Sequence, residues 1–362
     1  MKTTKNGLGS KIPIYCPSFS GNESKYINEC IDSKWVSSAG KFVEQFEKEF
    51  ANYIGTKYAS TTSNGTTALH LAVEALSIPK GSEIIVPDLT FAATANAVIH
   101  AGSKPVLADV DSETLNISPD SIREKITKKT KAIIPVHLYG RPAEMKEIIE
   151  IAKEKDIFVI EDAAESHGAE IGGKKAGSFG DAAIFSFYGN KIITTGEGGM
   201  VVSDNEEIME KVNILKNHGM RKEKRYWHEI VGYNYRMTNL QAALGVAQLE
   251  KIEKKIESKR KIAQKYNSLL SDSFTLSSEE KNTRNVYWLY WIMIANPDSL
   301  SKKLENKGIE SRRFFYPLSS MPPFETKSLP NAELAFNTGL CLPSYPGLSN
   351  EEIEHICAVL LE

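Results

Sequence analysis

The chain has 362 residues, 41% of them hydrophobic, and a formal net charge of -2 spread along its length. That length buries a large core and predicts one large domain with a smaller one, while the even charge excludes the basic footprint of a nucleic-acid binder. No stretch offers the ~20 consecutive apolar residues of a membrane helix. The opening stretch "MKTTKNGLGSKIPIYCPSFSG" lacks an apolar run of the signal-peptide kind. Cys16, Cys30, Cys341 and Cys357 show no zinc spacing, so reduced thiols in the cytoplasm and no metal site are expected.

From about residue 55 to 205, apolar runs alternate with helical patterns. "SEIIVP" reads as a strand ending at Pro87, and "TFAATANAVIHAG" as a helix stopped by Gly102. "KPVLADVD" is strand-like, "SPDSIREKIT" a capped helix, and "KAIIPVHLYG" another strand. "PAEMKEIIEIAKEKD" is an amphipathic helix, followed by "IFVIEDAAESHGA", a strand ending in carboxylates. "DAAIFSFYG" and "GGMVVSD" are two further strands. A long helix is expected from about Thr238, with Leu244, Leu249, Ile252 and Ile256 on one apolar face. Beyond it "NVYWLYWIMIA" reads as a buried strand and "NEEIEHICAVLLE" as a closing helix. The expected fold class is α/β: a large domain (1–245) with a mainly parallel sheet covered by helices, and a smaller C-terminal α+β domain (246–362).

In such sheets, chemistry gathers at the carboxyl ends of the strands. After "ASTTS", Gly65 and Thr66 open a helix whose free N–H groups suit a phosphate, although "NGTT" is also an ordinary cap. After "IFVI" come Glu161 and Asp162, either caps for the next helix or partners of a cationic ring nitrogen. After "AAIFSF" comes Lys191, which alone would be read as a solvated loop lysine. Together these features fit one cofactor, pyridoxal phosphate. It needs a phosphate cradle, a lysine that forms its Schiff base and later moves a proton, and an acid opposite its ring nitrogen. Arginine cannot replace that lysine, because it stays protonated. "TTGEGG" lets the backbone turn closely past the cofactor, Ser186 is placed to reach the phosphate, and Phe91 to stack on the ring.

With these residues in view, the chain resembles the sugar aminotransferases of the aspartate-aminotransferase fold, which act on nucleotide-linked keto sugars. The resemblance runs nearly end to end through "SNGTTALHLA", "VPDLTFAATANAV", "PVHLYG", "VIEDAAESHGA", "GSFGDAAIFSFYGNKIITTGEGGMV", "RYWHEIVGYNYRMTN" and "RFFYPL". It is similar above all to members that use glutamate to aminate C4 of GDP-4-keto-6-deoxy-mannose, giving GDP-perosamine for surface polysaccharide such as O-antigen. The resemblance implies that Lys191 is the Schiff-base lysine and that Asp162 pairs with the ring nitrogen. Glu165 would lie near the ring hydroxyl, with Gly65, Thr66 and Ser186 on the phosphate and Phe91 on the ring. Asn234 would reach the neighbouring subunit's cofactor, which implies a homodimer with shared sites. Arg236 serves either sugar or donor binding, or a structural salt bridge.

Where the family often has Arg-Pro and then Pro-Leu-His, this chain has Arg313 for the proline and Ser319 for the histidine. That departure leaves the sugar and nucleotide open, including UDP- or dTDP-linked keto sugars and phosphorylated ketones, and directs attention to Arg313 and Ser319. His137, His167, Trp288 and Trp291 read as packing residues. Related dehydratases carry histidine at the lysine position, so Lys191 argues against that chemistry. A non-catalytic regulator would bring a DNA-binding segment, for which this chain has no basic stretch.

Overall fold

The computed structural model describes residues 11–221, 223–224 and 226–362. The first ten residues of the opening stretch, and Arg225 of "RYWHEIVGYNYRMTN", lie outside the described residues. The strands in chain order are β1 (Tyr58–Thr62), β2 (Glu83–Pro87), β3 (Lys104–Ala108), β4 (Thr130–Ile133) and β5 (Phe158–Asp162). A short hairpin, β6 (Glu170–Ile171) and β7 (Lys174–Lys175), precedes β8 (Ala182–Ser186) and β9 (Gly199–Ser203). Seven of these form one sheet in the order β1-β9-β8-β5-β4-β2-β3. Only β9 runs against its neighbours, and the pairings from β8 through to β3 are all parallel. All residues of β8 and β9 are buried, as expected of strands covered on both faces.

Helices cover that sheet. They include α1 (Glu23–Ser33), α2 (Lys41–Ile54), α3 (Gly65–Ala75), α4 (Ala93–His100), α5 (Pro119–Lys125), α6 (Met145–Lys155) and α7 (Glu206–Lys216). Their boundaries follow local chemistry. Asn64 and Thr67 form a capping box at the start of α3. Ser118 caps α5 ahead of Pro119, and Gly102, at φ +77°, ends the turn after α4.

Two expectations change. The regular ladder of "KAIIPVHLYG" ends at Ile133; Pro135 has no N–H to donate, pairing continues only as an isolated bridge from Val136 to Asp162, and the chain then turns through Tyr139 at φ 55°. The expected long helix is two, α8 (Asn239–Leu249) and α9 (Ile252–Leu270), because Lys251 leaves helical geometry (φ -116°, ψ 5°). The break lets α8 lie on α1 and α2, while α9 packs on the closing helix at Asn350–Leu361. Gly245 permits the α2–α8 approach, since a Cβ there would sit 2.6 Å from the Phe46 ring.

The C-terminal part holds a second, antiparallel sheet. After β10 (Thr275–Leu276) and β11 (Thr283–Arg284) come β12 (Tyr290–Met293), β13 (Arg312–Arg313) and β14 (Gly339–Leu342). The sheet order is β10-β12-β14-β13, and β11 pairs with β6 of the hairpin. The proposed division after residue 245 falls inside α8, and the four-stranded sheet lies wholly beyond it.

The core is continuous from α2 through the large sheet to β12. At its centre Phe50 meets Phe185 and Phe187 at centroid separations of 4.9 and 5.3 Å, with Phe46 on Phe187 at 5.0 Å. This cluster backs β8, the strand that leads to Lys191. Phe50→Ala should cost about 3–5 kcal/mol of stability, read as a lower urea midpoint with an unchanged slope.

Candidate active site

The site begins with an alternation. Successive side chains of a strand point to opposite faces, so Glu161 and Asp162 at the end of β5 part company. Glu161 turns into the protein and accepts bonds from the N–H groups of Gly177, Phe179 and Gly180 at 2.8, 2.6 and 2.8 Å. His137 Nε2 lies 3.0 Å from it, and Nδ1 accepts from the Ala143 N–H. The proton is therefore on Nε2, which donates to Glu161. Burial pushes the Glu161 carboxyl up, but His137 and the N–H groups outweigh it and hold it below its ordinary value. Asp162 faces a cavity of ≈ 730 Å³. Its Oδ2 accepts from Thr94 Oγ1 at 2.8 Å and its Oδ1 from the Ala164 N–H at 3.2 Å, which fixes the carboxylate's direction.

Across the cavity, α3 presents its first turn. Asn64 satisfies the Thr67 N–H at 2.9 Å, and the Ala68 N–H goes to the Asn64 carbonyl. The Gly65 and Thr66 N–H groups take no bond among the described residues, so the positive end of the helix is left for an anion. Ser186, the last residue of β8, stands so close to Gly65 that a Cβ there would lie 2.8 Å from the Ser186 Cβ. Within "TTGEGG", Gly196 supplies a turn at φ +82°, and Gly199 lets β9 pass the Asn64 carbonyl, where a Cβ would sit at 2.3 Å. These glycines thus shape the wall behind the α3 cap.

Lys191 stands between these two edges. It is buried, with Nζ 3.5 Å from Glu165 Oε1 and 3.8 Å from the centre of the Trp288 ring. Desolvation lowers its pKa below the ordinary lysine value, against the pull of Glu165 and Asp162, and nearby Arg312 adds to the lowering. Burial pushes Glu165 up to about 7, although Lys191 and the Tyr139 N–H, which donates to it at 2.9 Å, both oppose the shift. Asp162 is also raised by burial, with Thr94, Ala164 and Lys191 acting against the rise.

Gly65, Thr66, Phe91, Asp162, Glu165, Ser186 and Lys191 therefore line one cavity. Four other candidates do not. Asn234 Oδ1 accepts from Arg236 Nη2 at 2.9 Å, and Arg236 Nη1 donates to Asn217 at 2.9 Å, so that pair holds its own loop within the chain. Arg313 pairs with Asp298, donates to the Phe336 carbonyl at 2.6 Å and lies over the Phe336 ring. Ser319 binds Asp88 through its N–H (2.6 Å) and its Oγ (2.8 Å). Sequence reasoning missed Arg312, which lines the cavity with no carboxylate paired to it among the described residues. It also took Trp288 for core alone; Trp288 is cavity wall as well, with its Nε1 donating to the Asn190 carbonyl at 2.6 Å. Trp291 is core, against Phe314. His167 is packed among Phe50, Phe185 and Phe187, and burial lowers its pKa to about 3.

Residues 17–361 match the DegT/DnrJ/EryC1/StrS aminotransferase family. The chain belongs to this family. It is 46% identical to the GDP-perosamine synthase of Vibrio cholerae, over 96% of this chain and 97% of that protein. It is 45% identical to the GDP-perosamine synthase of Escherichia coli O157:H7, over 97% and 98%. The crystal structure of S. venezuelae DesV in complex with a ketimine intermediate superposes with a TM-score of 0.90 at 32% identity, over 94% of this chain and 93% of that one.

As a member of this aminotransferase family, the chain is a pyridoxal-phosphate-dependent enzyme. Its residues fit the group: an anion seat that only glycine leaves open, an oriented buried acid and a desolvated amine converge on one space. Gly65→Ala would force Ser186 or the α3 terminus to move, and should weaken pyridoxal phosphate binding about tenfold, roughly 1.4 kcal/mol, by fluorescence titration. Glu165 supplies a pH signature. Its folded pKa, about 7, lies above its ordinary 4.5. The folded state therefore binds the extra proton, and this contribution to stability is present below about 4.5 and lost as pH rises through about 7. Glu165→Gln should flatten that part of the urea-midpoint profile.

Proposed function

We propose that this aminotransferase takes the amino group of glutamate, releases 2-oxoglutarate, and delivers the nitrogen to C4 of GDP-4-keto-6-deoxy-mannose. The product would be GDP-perosamine, for surface polysaccharide such as O-antigen, made in the cytoplasm. The observation that carries the chemistry is the buried Lys191 amine, lowered in pKa and facing Asp162 across one cavity. The identities of 46% and 45% to two GDP-perosamine synthases over nearly full length support the substrate.

When bound, pyridoxal phosphate supplies a carbonyl carbon that captures amines and a ring that withdraws electrons. In this proposal Lys191 Nζ would be the covalent anchor and, once displaced, the base that carries a proton from the donor's α-carbon to the cofactor's former carbonyl carbon. A lowered pKa leaves part of the amine neutral and able to take that proton. Asp162 opposes the ring nitrogen, held in direction by Thr94 and the Ala164 N–H. Glu165, about half ionised near neutral pH with its pKa of about 7, exchanges a proton with Lys191 Nζ across 3.5 Å. Gly65, Thr66 and Ser186 seat the phosphate, Phe91 covers the ring, and Trp288, with Tyr139 stacked behind it, keeps water from the amine. Asn234, held by Arg236 outside its own cavity, would serve the site of a second copy, making the working unit a homodimer.

Lys191→Ala should abolish amino transfer and remove the absorbance band that depends on the covalent link between Lys191 and the cofactor; a purified variant with full turnover would sink the proposal. GDP-, UDP- and dTDP-linked keto sugars and phosphorylated ketones, each offered with glutamate and read by mass spectrometry, should give an aminated product from the GDP-linked 4-keto sugar. Amination confined to another nucleotide or a simple ketone would overturn the substrate and leave the chemistry standing.

A further inference from the structure

Lys191 does not sit in a strand. It lies beyond β8 in an irregular bend, where its own N–H bonds to the Tyr188 carbonyl at 2.9 Å. A short bend of this kind leaves a backbone position poorly determined, yet Nζ lies 3.5 Å from Glu165 and 3.8 Å from the Trp288 ring centre. Something outside the bend must hold it. Two side chains do, on consecutive carbonyls. Trp288 Nε1 donates to Asn190 O at 2.6 Å, and the Tyr15 hydroxyl, from a segment 176 positions earlier, donates to Lys191 O.

Tyr15 is itself held from several directions. Ile12 is stitched between Gly308 and Glu310 by backbone bonds of 2.8 and 2.9 Å, and the Ile14 N–H reaches Glu310 Oε2 at 3.1 Å. On the far side, Lys255 Nζ and Gln248 Nε2 bond to the Ser18 carbonyl at 2.6 and 3.0 Å. Lys259 Nζ, fully buried on α9, bonds the Ser344 carbonyl and lies 5.7 Å from the Tyr15 ring. The strap from Lys11 to Ser18 thus runs from the edge of the small sheet to the back of the lysine bend. Its anchor at Gly308–Glu310 is two residues from Arg312 on the cavity wall.

We propose that Tyr15 is a positioning residue for the reaction: its hydroxyl fixes the Lys191 backbone, and the strap ties that position to the strand carrying Arg312. This rests on the reading of Lys191 as the reacting amine. Burial pushes the Tyr15 phenol well above its ordinary value, so it stays a donor across the working pH range. The amine has to meet carbon atoms in near-attack geometry, where a shift of about 1 Å costs up to about a hundredfold in rate. Removing the hydroxyl frees the Lys191 carbonyl, lets the bend relax and admits water to the amine. Desolvation is the first cause of the lowered Lys191 value, and water reaching the bend favours the charged form of Nζ whether it is free or linked to the cofactor, which moves its titration to higher pH.

The test compares the wild-type holoenzyme with Tyr15→Phe and with Tyr26→Phe, which removes a hydroxyl bonded to Glu250 at 2.6 Å, away from the cavity. For Tyr15→Phe, kcat should fall about tenfold or more, with KM for glutamate within about twofold. The midpoint of the pH titration of bound-cofactor absorbance should move to higher pH. Tyr26→Phe should keep both at the wild-type value. A Tyr15→Phe enzyme with kcat within twofold of wild type overturns the proposal. So does a fall in kcat without a moved absorbance titration, or an equal fall in Tyr26→Phe, either of which marks a general loss of structure. Failure of the underlying function is distinct, because the wild type would then transfer no amino group at all.

Discussion

An ammonium group kept out of water is the constraint on which the rest of this site depends. A lysine in a cavity has either to stay charged, with partners, or to give up its proton. Lys191 has an aromatic face at 3.8 Å and a carboxyl at 3.5 Å that is itself raised toward neutral pH. Neither partner is a full counter-ion. The same burial that lifts the carboxyl lowers the amine, and the two ionisations are drawn together. In the proposed role, a stronger ion pair here would hold the proton on Lys191 and make it a worse base.

The fold meets that constraint from both faces of one strand end. Asp162 serves the cavity while its neighbour Glu161 serves the frame, gathering three N–H groups and a histidine. The frame below the lysine is equally dense, with Phe46, Phe50, Phe185, Phe187 and His167 interlocked beneath β8. The pull of a buried acid and a buried amine on their surroundings is large, and a loosely packed floor would let water in to relieve it.

Much of this was legible from residue order. Apolar runs of five residues between helical patterns exposed the parallel strands, and their ends pointed to Gly65, Asp162, Ser186 and Lys191. Parity was not legible. Whether Glu161 or Asp162 faces the cavity depends on the register of β5 with β8 and β4, and a one-residue slip exchanges them. The same parity misled at Arg312 and Arg313, where the unusual residue drew attention but the neighbouring side chain lines the cavity. Ser319 was read as a substrate contact because nothing local revealed Asp88, 231 positions away. The break between α8 and α9 escaped notice because the apolar spacing continues across it, and only packing on two different partners shows why the axis must change.

Trp288 belongs at once to the floor of the cavity and to the segment that leads into β12 of the small sheet. One side chain thereby closes the amine against water, carries a backbone carbonyl of the lysine bend and joins two halves of the chain. For natural variation this is a bottleneck: a substitution there cannot adjust what the cavity accepts without also loosening how the chain holds together. Diversification of substrate in such an architecture is channelled toward the cavity mouth, where Tyr188 is half exposed, at 50%, and where change leaves the frame alone.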